Sequence, residues 1–156
     1  DALALLPEAP VTHILGDGPA RESLQARARA SGLARVEFAG DVADVPQRLA
    51  QYGIFVLLSD HEGMPISVIE AMRAGLAIVA SRLPGIEEMV VHEESALLVE
   101  NEPGQVRDAL ARLIADPALR ARLAQAARAR YERDFDARAM ADKVLAIYHD
   151  VAGAKA

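Results

Sequence analysis

Short apolar runs alternate with helical patterns along the first hundred residues. Five runs have the length and composition of β-strands: Val11–Leu15, Arg35–Phe38, Ile54–Leu58, Ala77–Ala80 and Ala96–Val99. Helix-prone stretches separate them: Arg21–Ala30, Val42–Ala50, Pro65–Ala74 and Ile86–Val91. This order predicts a parallel sheet with helices on both faces, the doubly wound α/β class. Ile54–Leu58 is apolar throughout, which is typical of a strand covered on both faces.

The pattern becomes wholly helical from Pro103 onward. Apolar residues then recur at helical spacing in three stretches: Val106–Ile114, Leu119–Tyr131 and Asp136–Asp150. We expect a single domain over 1–156, with the α/β sheet core in 1–100 and C-terminal helices in 103–150. The opening Asp1–Leu6 looks like the last turns of a helix, so we expect the chain to begin inside an element, as a fragment would.

Composition excludes several kinds of protein. The chain has a formal charge of −6, no Trp and no Cys among its 156 residues. The charge and the lack of Trp argue against nucleic-acid binding, and the lack of Cys excludes disulfides, a Cys zinc site and thiol catalysis. No apolar run approaches the roughly 20 residues that cross a bilayer, and the first residues given lack the basic and apolar regions of a signal peptide. We expect a cytoplasmic protein.

Ligands of open α/β sheets bind beyond the carboxyl ends of the strands. Four loops occupy such positions: Gly16–Pro19, Ala39–Val42, Ser59–Pro65 and Ser81–Gly85. Gly16 and Gly18 can bring backbone close to a diphosphate, because glycine has no Cβ. On this signal alone, a plain turn between strand and helix is the favoured explanation of these residues. No G-x-G-x-x-G pattern follows, which disfavours a dinucleotide site.

The loop Ser59–Pro65 leads into a helix whose first turn is suited to an anion. Its free backbone amides are expected at four residues: Gly63, Met64, Ile66 and Ser67. Pro65 suits the first helical turn, where its lost N–H would have no partner in any case. The partial positive charge of such a terminus stabilises a phosphate by about 0.3–1 kcal/mol without a metal.

Glu62 and Glu70 lie on either side of this helix start. Helical spacing places Glu70 on a face with Ser67, Ala71 and Ala74, where it is the only charged residue. An exposed glutamate paired with the arginine three residues later explains it structurally. A carboxylate that accepts hydrogen bonds from two sugar hydroxyls explains it functionally, and periodicity alone does not decide. The role of Glu62 is likewise undecided at this point, because the helix dipole favours any acid in the loop before a helix.

The remaining polar motifs favour structural explanations. His13, His92 and His149 are expected to be structural or surface residues. His61 has no second ligand at metal-binding spacing, so no metal site is predicted. The arginines of Arg21–Arg29 alternate with small residues and are expected to form a solvated helix face.

These segments together resemble a known family. The order "ILGDGP", "VEFAGDV", "VLLSDHEGMPISVIEAMRAGLAIVAS", "PGIEEMV", "ALLV" and "YERDFDARAMADKVLAIY" is similar to the C-terminal half of retaining glycosyltransferases of the GT-B fold. That half is a Rossmann-like domain that binds the nucleotide-sugar donor. The most specific feature is a glutamate followed by seven residues and a second glutamate, here Glu62 and Glu70. The likeness covers nearly the whole chain.

The resemblance implies a role for each matching residue. Glu62 would lie beside the donor sugar, with orientation and electrostatic stabilisation as its favoured role and nucleophile as the alternative. Glu70 would bind the ribose hydroxyls. The implied donor-binding residues are Gly16, Gly18, Gly40, Asp41, Val42, Gly63, Met64, Pro65, Ile66, Ser67 and Glu70. The implied reaction retains configuration and requires no metal and no cofactor.

The resemblance also implies partners. The donor would be a sugar linked to UDP, GDP or ADP, in lipopolysaccharide, polysaccharide or other glycoconjugate synthesis. The acceptor would bind an N-terminal domain that this chain does not contain, so we expect the chain by itself to transfer little or no sugar. In the longer protein, a peripheral position at the inner face of the membrane is expected.

The chain departs from the family pattern in three respects. The first strand of the half, with the Arg and Lys that neutralise the leaving diphosphate, is expected to be missing. Ala77 replaces a frequent Pro, and Arg82 replaces a small or acidic residue, which weakens any donor contact from that loop. A nucleotide-sugar epimerase of the same fold and a noncatalytic nucleotide-binding module remain the alternatives.

Overall fold

A computed structural model describes residues 1–153. The strands are β1 (Thr12–Leu15), β2 (Val36–Gly40), β3 (Ile54–Leu57), β4 (Ala77–Ser81) and β5 (Leu97–Val99). The helices are α1 (Arg21–Ala30), α2 (Val45–Leu49), α3 (Ile66–Ala74), α4 (Pro84–Glu87), α5 (Pro103–Ala115), α6 (Pro117–Arg130) and α7 (Ala137–Gly153). A 3-10 turn at Ala2–Leu5 opens the chain, and a π-helical turn at Tyr131–Phe135 joins α6 to α7.

Helix boundaries follow the local chemistry of the sequence. Gly75 ends α3 with φ of 70°, a left-handed conformation that glycine adopts without a steric penalty. Asp116 caps α6, because its Oδ1 accepts a hydrogen bond of 2.9 Å from the Leu119 amide. The sequence pattern placed Pro65 in the first turn of α3. In the structure Pro65 is the cap residue, one position before that turn. The shift leaves the Ile66 and Ser67 amides at the start of the helix.

The five expected strands are present and every pairing between them is parallel. They form two hydrogen-bonded sheets, β1-β2 and β3-β4-β5, so the single sheet that the pattern suggested is divided. The doubly wound order 3-2-1-4-5-6 explains the division. If strand 1 is left out of that order, two strands remain on one side and three on the other, as observed.

β4 separates two apolar clusters. Successive side chains of a strand point to opposite faces, so Ile78 and Ala80 enter one cluster and Ala77 and Val79 enter the other. The first cluster is covered by α2, α3, α4 and α6, and the second by α5, α6 and the opening 3-10 turn. Helices on both faces of the sheet confirm the doubly wound arrangement.

β3 is less covered than its sequence suggested. Val56 is 40% exposed and Leu58 44%, because β3 pairs with β4 on one side only and β1 forms no ladder with it. The expectation that Ile54–Leu58 is covered on both faces is therefore wrong for this structure. One contact joins the two sheets at this point: the Tyr52 hydroxyl lies 2.7 Å from His13 Nδ1.

No helix within residues 1–153 combines the length and the apolar character that crossing a bilayer requires.

Candidate functional site

The loops at the carboxyl ends of the strands form two groups. The loop after β1 and the end of β2 meet at Gly16 and Gly40, where the Gly16 N–H donates to the Gly40 carbonyl at 2.8 Å. Both glycines have positive φ, 115° and 68°, which L side chains rarely adopt. The second group consists of the loops after β3, β4 and β5.

Arg21 joins the two loops of the first group. Its guanidinium donates to Asp17 Oδ2 at 2.8 Å and to the Phe38 carbonyl at 3.0 Å. It also covers Gly40, because a Cβ on Gly40 would lie 2.6 Å from Arg21 Nη1. The expectation that Arg21–Arg29 is simply a solvated face is therefore wrong for Arg21. Helical periodicity carries no information on a contact with a strand seventeen residues away.

The Asp17 carboxylate is hydrogen-bonded to the Gly18 amide, which the sequence analysis assigned to a diphosphate. Asp17 Oδ1 accepts from the Gly18 N–H at 2.7 Å. This backbone hydrogen bond, followed by the hydrogen bond from Arg21, holds the pKa of Asp17 below its ordinary value. Asp41 is exposed and Val42 half-buried at the end of β2.

The loop after β3 is hydrogen-bonded to the loops after β4 and β5. Ser81 Oγ accepts from the Ser59 N–H at 2.8 Å and donates to Asn101 Oδ1 at 2.5 Å. Asn101 Nδ2 donates to the Ser59 carbonyl at 2.9 Å and to Asp60 Oδ1 at 3.2 Å. The sequence placed Ser81 in a candidate loop but did not predict its bond to Ser59, and it did not single out Asn101. The available signal was a serine that ends an otherwise apolar strand, "AIVAS".

The loop is also in contact with Gly85 in α4. A Cβ built on Gly85 would lie 1.7 Å from the Gly63 carbonyl oxygen and 2.7 Å from that of Glu62. Both neighbouring atoms belong to backbone, so no side-chain rotation relieves the overlap. Glycine at this position therefore allows the loop that carries Glu62 to approach α4 closely.

Glu62 and Glu70 are both half-buried. Among the described residues, neither carboxylate forms a salt bridge or a side-chain hydrogen bond. The structural explanation of Glu70, a pair with Arg73, is thus not observed. Val68, Ala71 and Met72 are the buried residues of α3, so Glu70 lies beside the packed face.

The N-terminus of α3 has no side-chain cap and no acid in its first turn. The amides of Ile66 and Ser67 precede the first helical hydrogen bond, and Met64 and Ile66 are exposed beside them, at 58% and 71%. Free amides and the helix dipole favour an anion at this position. The site roles of Glu62, Glu70 and the donor-binding residues remain predictions.

Two of the four histidines, His13 and His92, have structural partners. His92 Nδ1 accepts from the Leu98 N–H of β5 at 3.0 Å, and His13 contacts Tyr52 edge-on. His61 and His149 are exposed. In the described part of the chain, no three His, Asp or Glu side chains come together as a metal-binding cluster.

Comparison with known proteins identifies relatives over most of the chain. The family of glycosyl transferases group 1 matches residues 1–130. The lipopolysaccharide core biosynthesis glycosyltransferase LpsD of Rhizobium meliloti is 33% identical over 137 residues, which are 86% of this chain and 40% of LpsD. The chain thus spans less than half the length of this curated relative.

Solved structures share the fold. HepE of Anabaena, crystallised with UDP-glucose, superposes with a TM-score of 0.86 at 26% identity, over 96% of this chain and 43% of HepE. The C-terminal domain of the group 1 protein LpcC from Francisella tularensis superposes with a TM-score of 0.70 at 27% identity, over 75% of this chain and 63% of that domain. The expected Rossmann-like C-terminal half of the GT-B fold is confirmed.

Proposed function

The chain belongs to the glycosyl transferases group 1 family, and on that premise we propose that it binds the nucleotide-sugar donor of a retaining, metal-independent sugar transfer. The observation that carries the proposal is the pair Glu62 and Glu70. Both are half-buried carboxylates without an ionic partner among residues 1–153, and they lie on either side of an uncapped helix N-terminus. A diphosphate at that terminus would place a sugar toward one carboxylate and a ribose toward the other.

Binding would use backbone more than side chains. The amides of Gly63, Met64, Ile66 and Ser67 would neutralise part of the diphosphate charge at the start of α3. Pro65 shapes this start, since it is buried and holds the cap position. Gly16 and Gly18 would lie on the other side of the cleft. Binding of the diphosphate to the Gly18 amide would require that amide to break its hydrogen bond to Asp17. The negative charge of Asp17 also repels an anion at this position.

The base would lie near the end of β2. Gly40, Asp41 and Val42 follow one another there, and Val42 is half-buried. The relative crystallised with UDP-glucose makes UDP the first nucleotide to test, ahead of GDP and ADP. Relatives named for lipopolysaccharide core synthesis support a glycoconjugate acceptor for the longer protein.

Transfer would proceed on one face of the sugar. The bond from the anomeric carbon to the diphosphate oxygen breaks as the bond to the acceptor oxygen forms. The departing diphosphate oxygen takes the acceptor's proton. Glu62 would stabilise the positive charge that develops on the sugar ring, and covalent attack by Glu62 is the less favoured alternative. We assign the transfer step to the longer protein, in which another domain would bind the acceptor.

Calorimetric titration with UDP, combined with a ribose analogue, tests the proposal. Glu70→Gln should weaken UDP binding by about tenfold or more, because hydrogen bonds to a charged group contribute about 1.5–3 kcal/mol. A UDP analogue that lacks both ribose hydroxyls should bind the unaltered chain weakly, and E70Q should weaken it no further.

Glu94→Gln is the matched control. Glu94 is exposed and precedes β5, at the opposite edge of the sheet, so E94Q should leave UDP affinity unchanged. Equal losses for UDP and its dideoxy analogue in E70Q would refute the ribose role of Glu70. Absence of binding to UDP, GDP and ADP at millimolar concentration would refute the donor site.

A further inference from the structure

The loop Ser59–Gly63 is held in place by polar groups that lie outside the proposed donor contacts. We propose that Ser81 and Asn101 are positioning residues, which fix this loop so that Glu62 faces the donor sugar. The inference rests on the function proposed above and adds to it two residues that do not themselves contact the donor.

Every polar atom of the two side chains has a partner in the loop or in the other side chain. The Ser81 hydroxyl accepts from the Ser59 N–H at 2.8 Å and donates to Asn101 Oδ1 at 2.5 Å. The Asn101 amide group donates to the Ser59 carbonyl at 2.9 Å and to Asp60 Oδ1 at 3.2 Å. This pattern fixes which way the Asn101 amide points, because only its NH₂ group can donate to both oxygens.

Burial strengthens one part of the network. Ser81 is 2% exposed, and a hydroxyl so far from water is costly unless its hydrogen bonds are made. Ser81 ends β4, whose other residues are buried and apolar, so the hydroxyl is held by a rigid element. The loop therefore takes its position from the central strand of the three-stranded sheet.

The second side of the loop is held by close packing. Gly85 leaves so little room that a Cβ there would overlap the carbonyl oxygens of Gly63 and Glu62. The hydrogen bonds act at Ser59 and Asp60, and the packing acts at Glu62 and Gly63. The loop is thus restrained on both sides of His61, whose carbonyl accepts a further bond of 3.1 Å from the Ser59 hydroxyl.

The network should matter more for the sugar than for the nucleoside. Glu70 is carried by α3, which packs through Val68, Ala71 and Met72, whereas the hydrogen bonds of the Asn101 amide group go to Ser59 and Asp60. Glu62 is carried by the restrained loop itself. A loosened loop should therefore weaken recognition of the sugar while the ribose contact persists.

The experiment compares the affinities of UDP and UDP-glucose in three variants. Asn101→Asp keeps the size of the side chain and replaces the donating NH₂ group by an oxygen, which repels the Ser59 carbonyl and Asp60. Asn101 is exposed, so N101D leaves the apolar core intact. Ser81→Ala removes the central hydroxyl. We expect both variants to raise the ratio of the UDP-glucose Kd to the UDP Kd by about tenfold.

Ser95→Ala is the matched control. Ser95 is also 2% exposed, and its hydroxyl also accepts a backbone bond, from the Val91 N–H at 2.9 Å. It lies before β5, away from the loop. S95A should lower stability as S81A does and leave the Kd ratio within about twofold of the unaltered chain.

The outcomes separate the two proposals. Equal Kd ratios in S81A, S95A and the unaltered chain would overturn the positioning role while UDP binding persists. An equal rise in S81A and S95A would also overturn it, because a general loss of stability would then suffice. If the unaltered chain binds none of UDP, UDP-glucose, GDP and ADP at millimolar concentration, the donor site itself fails, and the positioning role fails with it.

Discussion

The two sheets are held by different interactions. The sheet β3-β4-β5 lies between two apolar clusters, and β4 is buried at every position. In contrast, no apolar side chain before Leu49 is fully buried, although β1 and β2 form a regular parallel ladder. The β1-β2 sheet depends on backbone hydrogen bonds and on Arg21, whereas the β3-β4-β5 sheet depends on apolar packing.

This difference assigns a stable side and a labile side to the proposed cleft. Apolar burial provides most of the folding free energy, so the region with little of it opens at lower cost. Glu62 and Glu70 belong to the packed region, whereas Gly16, Gly18 and Gly40 belong to the other. We expect the packed side to hold the donor and the labile side to adjust when a nucleotide binds.

Two isoleucines in strands provide the sharpest test of the comparison. Ile78 in β4 is fully buried and Ile14 in β1 is 38% exposed. Ile78→Ala should lower the free energy of unfolding by about 2–5 kcal/mol, because the substitution creates a cavity in close packing. Ile14→Ala should cost about 1 kcal/mol or less. Urea denaturation measures both free energies of unfolding. Equal losses would contradict the conclusion that the β3-β4-β5 sheet carries most of the stability.

Removal of the Arg21 side chain tests whether Arg21 stabilises the loops of the β1-β2 sheet. Arg21→Ala loses the hydrogen bonds to Asp17 and to the Phe38 carbonyl, at a cost of about 1 kcal/mol. Hydrogen exchange at the Gly16 amide should become several-fold faster, because this loop then opens more often. Arg27→Ala is the control, since Arg27 lies on the same helix and pairs with Asp1. If hydrogen exchange at the Gly16 amide were equally faster in both variants, Arg21 would have no specific role in joining the two loops.

The smallest expected effect is a dependence on pH in the packed region. The hydrogen bond from Arg112 is the main cause that holds the pKa of Glu93 below its ordinary value of 4.5, and the charges of Arg112, His92 and Arg122 lower it further. A depressed carboxyl pKa contributes stability above about pH 4.5, and this is lost as pH falls toward the folded-state pKa. The pair is largely exposed, so its contribution is a few tenths of a kcal/mol.

Glu93→Gln should therefore be slightly less stable than the unaltered chain at pH 7, and the difference should shrink as the pH falls below about 4.5, the ordinary pKa of the carboxyl. Thermal unfolding over this pH range, at low and high salt, measures the effect. A difference that persists at low pH would assign the cost of the substitution to local backbone conformation, since Glu93 has φ of 62°.

Periodicity predicted most of the fold. Each of the five strands and each helix lies within a few residues of its predicted position, because burial on one face imposes a repeat that the residues must follow. Division of the sheet was not predictable from these segments, since no local pattern shows whether a strand has one neighbour or two. The exposure of Val56 follows from this division.

The site was predictable where residue type and spacing carry the chemistry. The pattern of Glu62 and Glu70 around a helix start led to the family by resemblance, and the comparisons established the family. The roles of Arg21, Ser81, Gly85 and Asn101 were not predictable. Each acts on backbone that is distant in sequence, as in the bond from Asn101 to Ser59, forty-two residues apart.

The sequence by itself determined the order of strands and helices, the parallel class of the sheet and the placement of two carboxylates around one helix start. Hydrophobic repeat and helix geometry are local, so they can be inferred from neighbouring residues. Only the tertiary structure decided that Glu70 has no ionic partner in the described part of the chain, which strand edges stay unpaired and which residues restrain the Glu62 loop. Those properties depend on contacts between distant segments, which close packing and hydrogen bonding select only once the chain has folded.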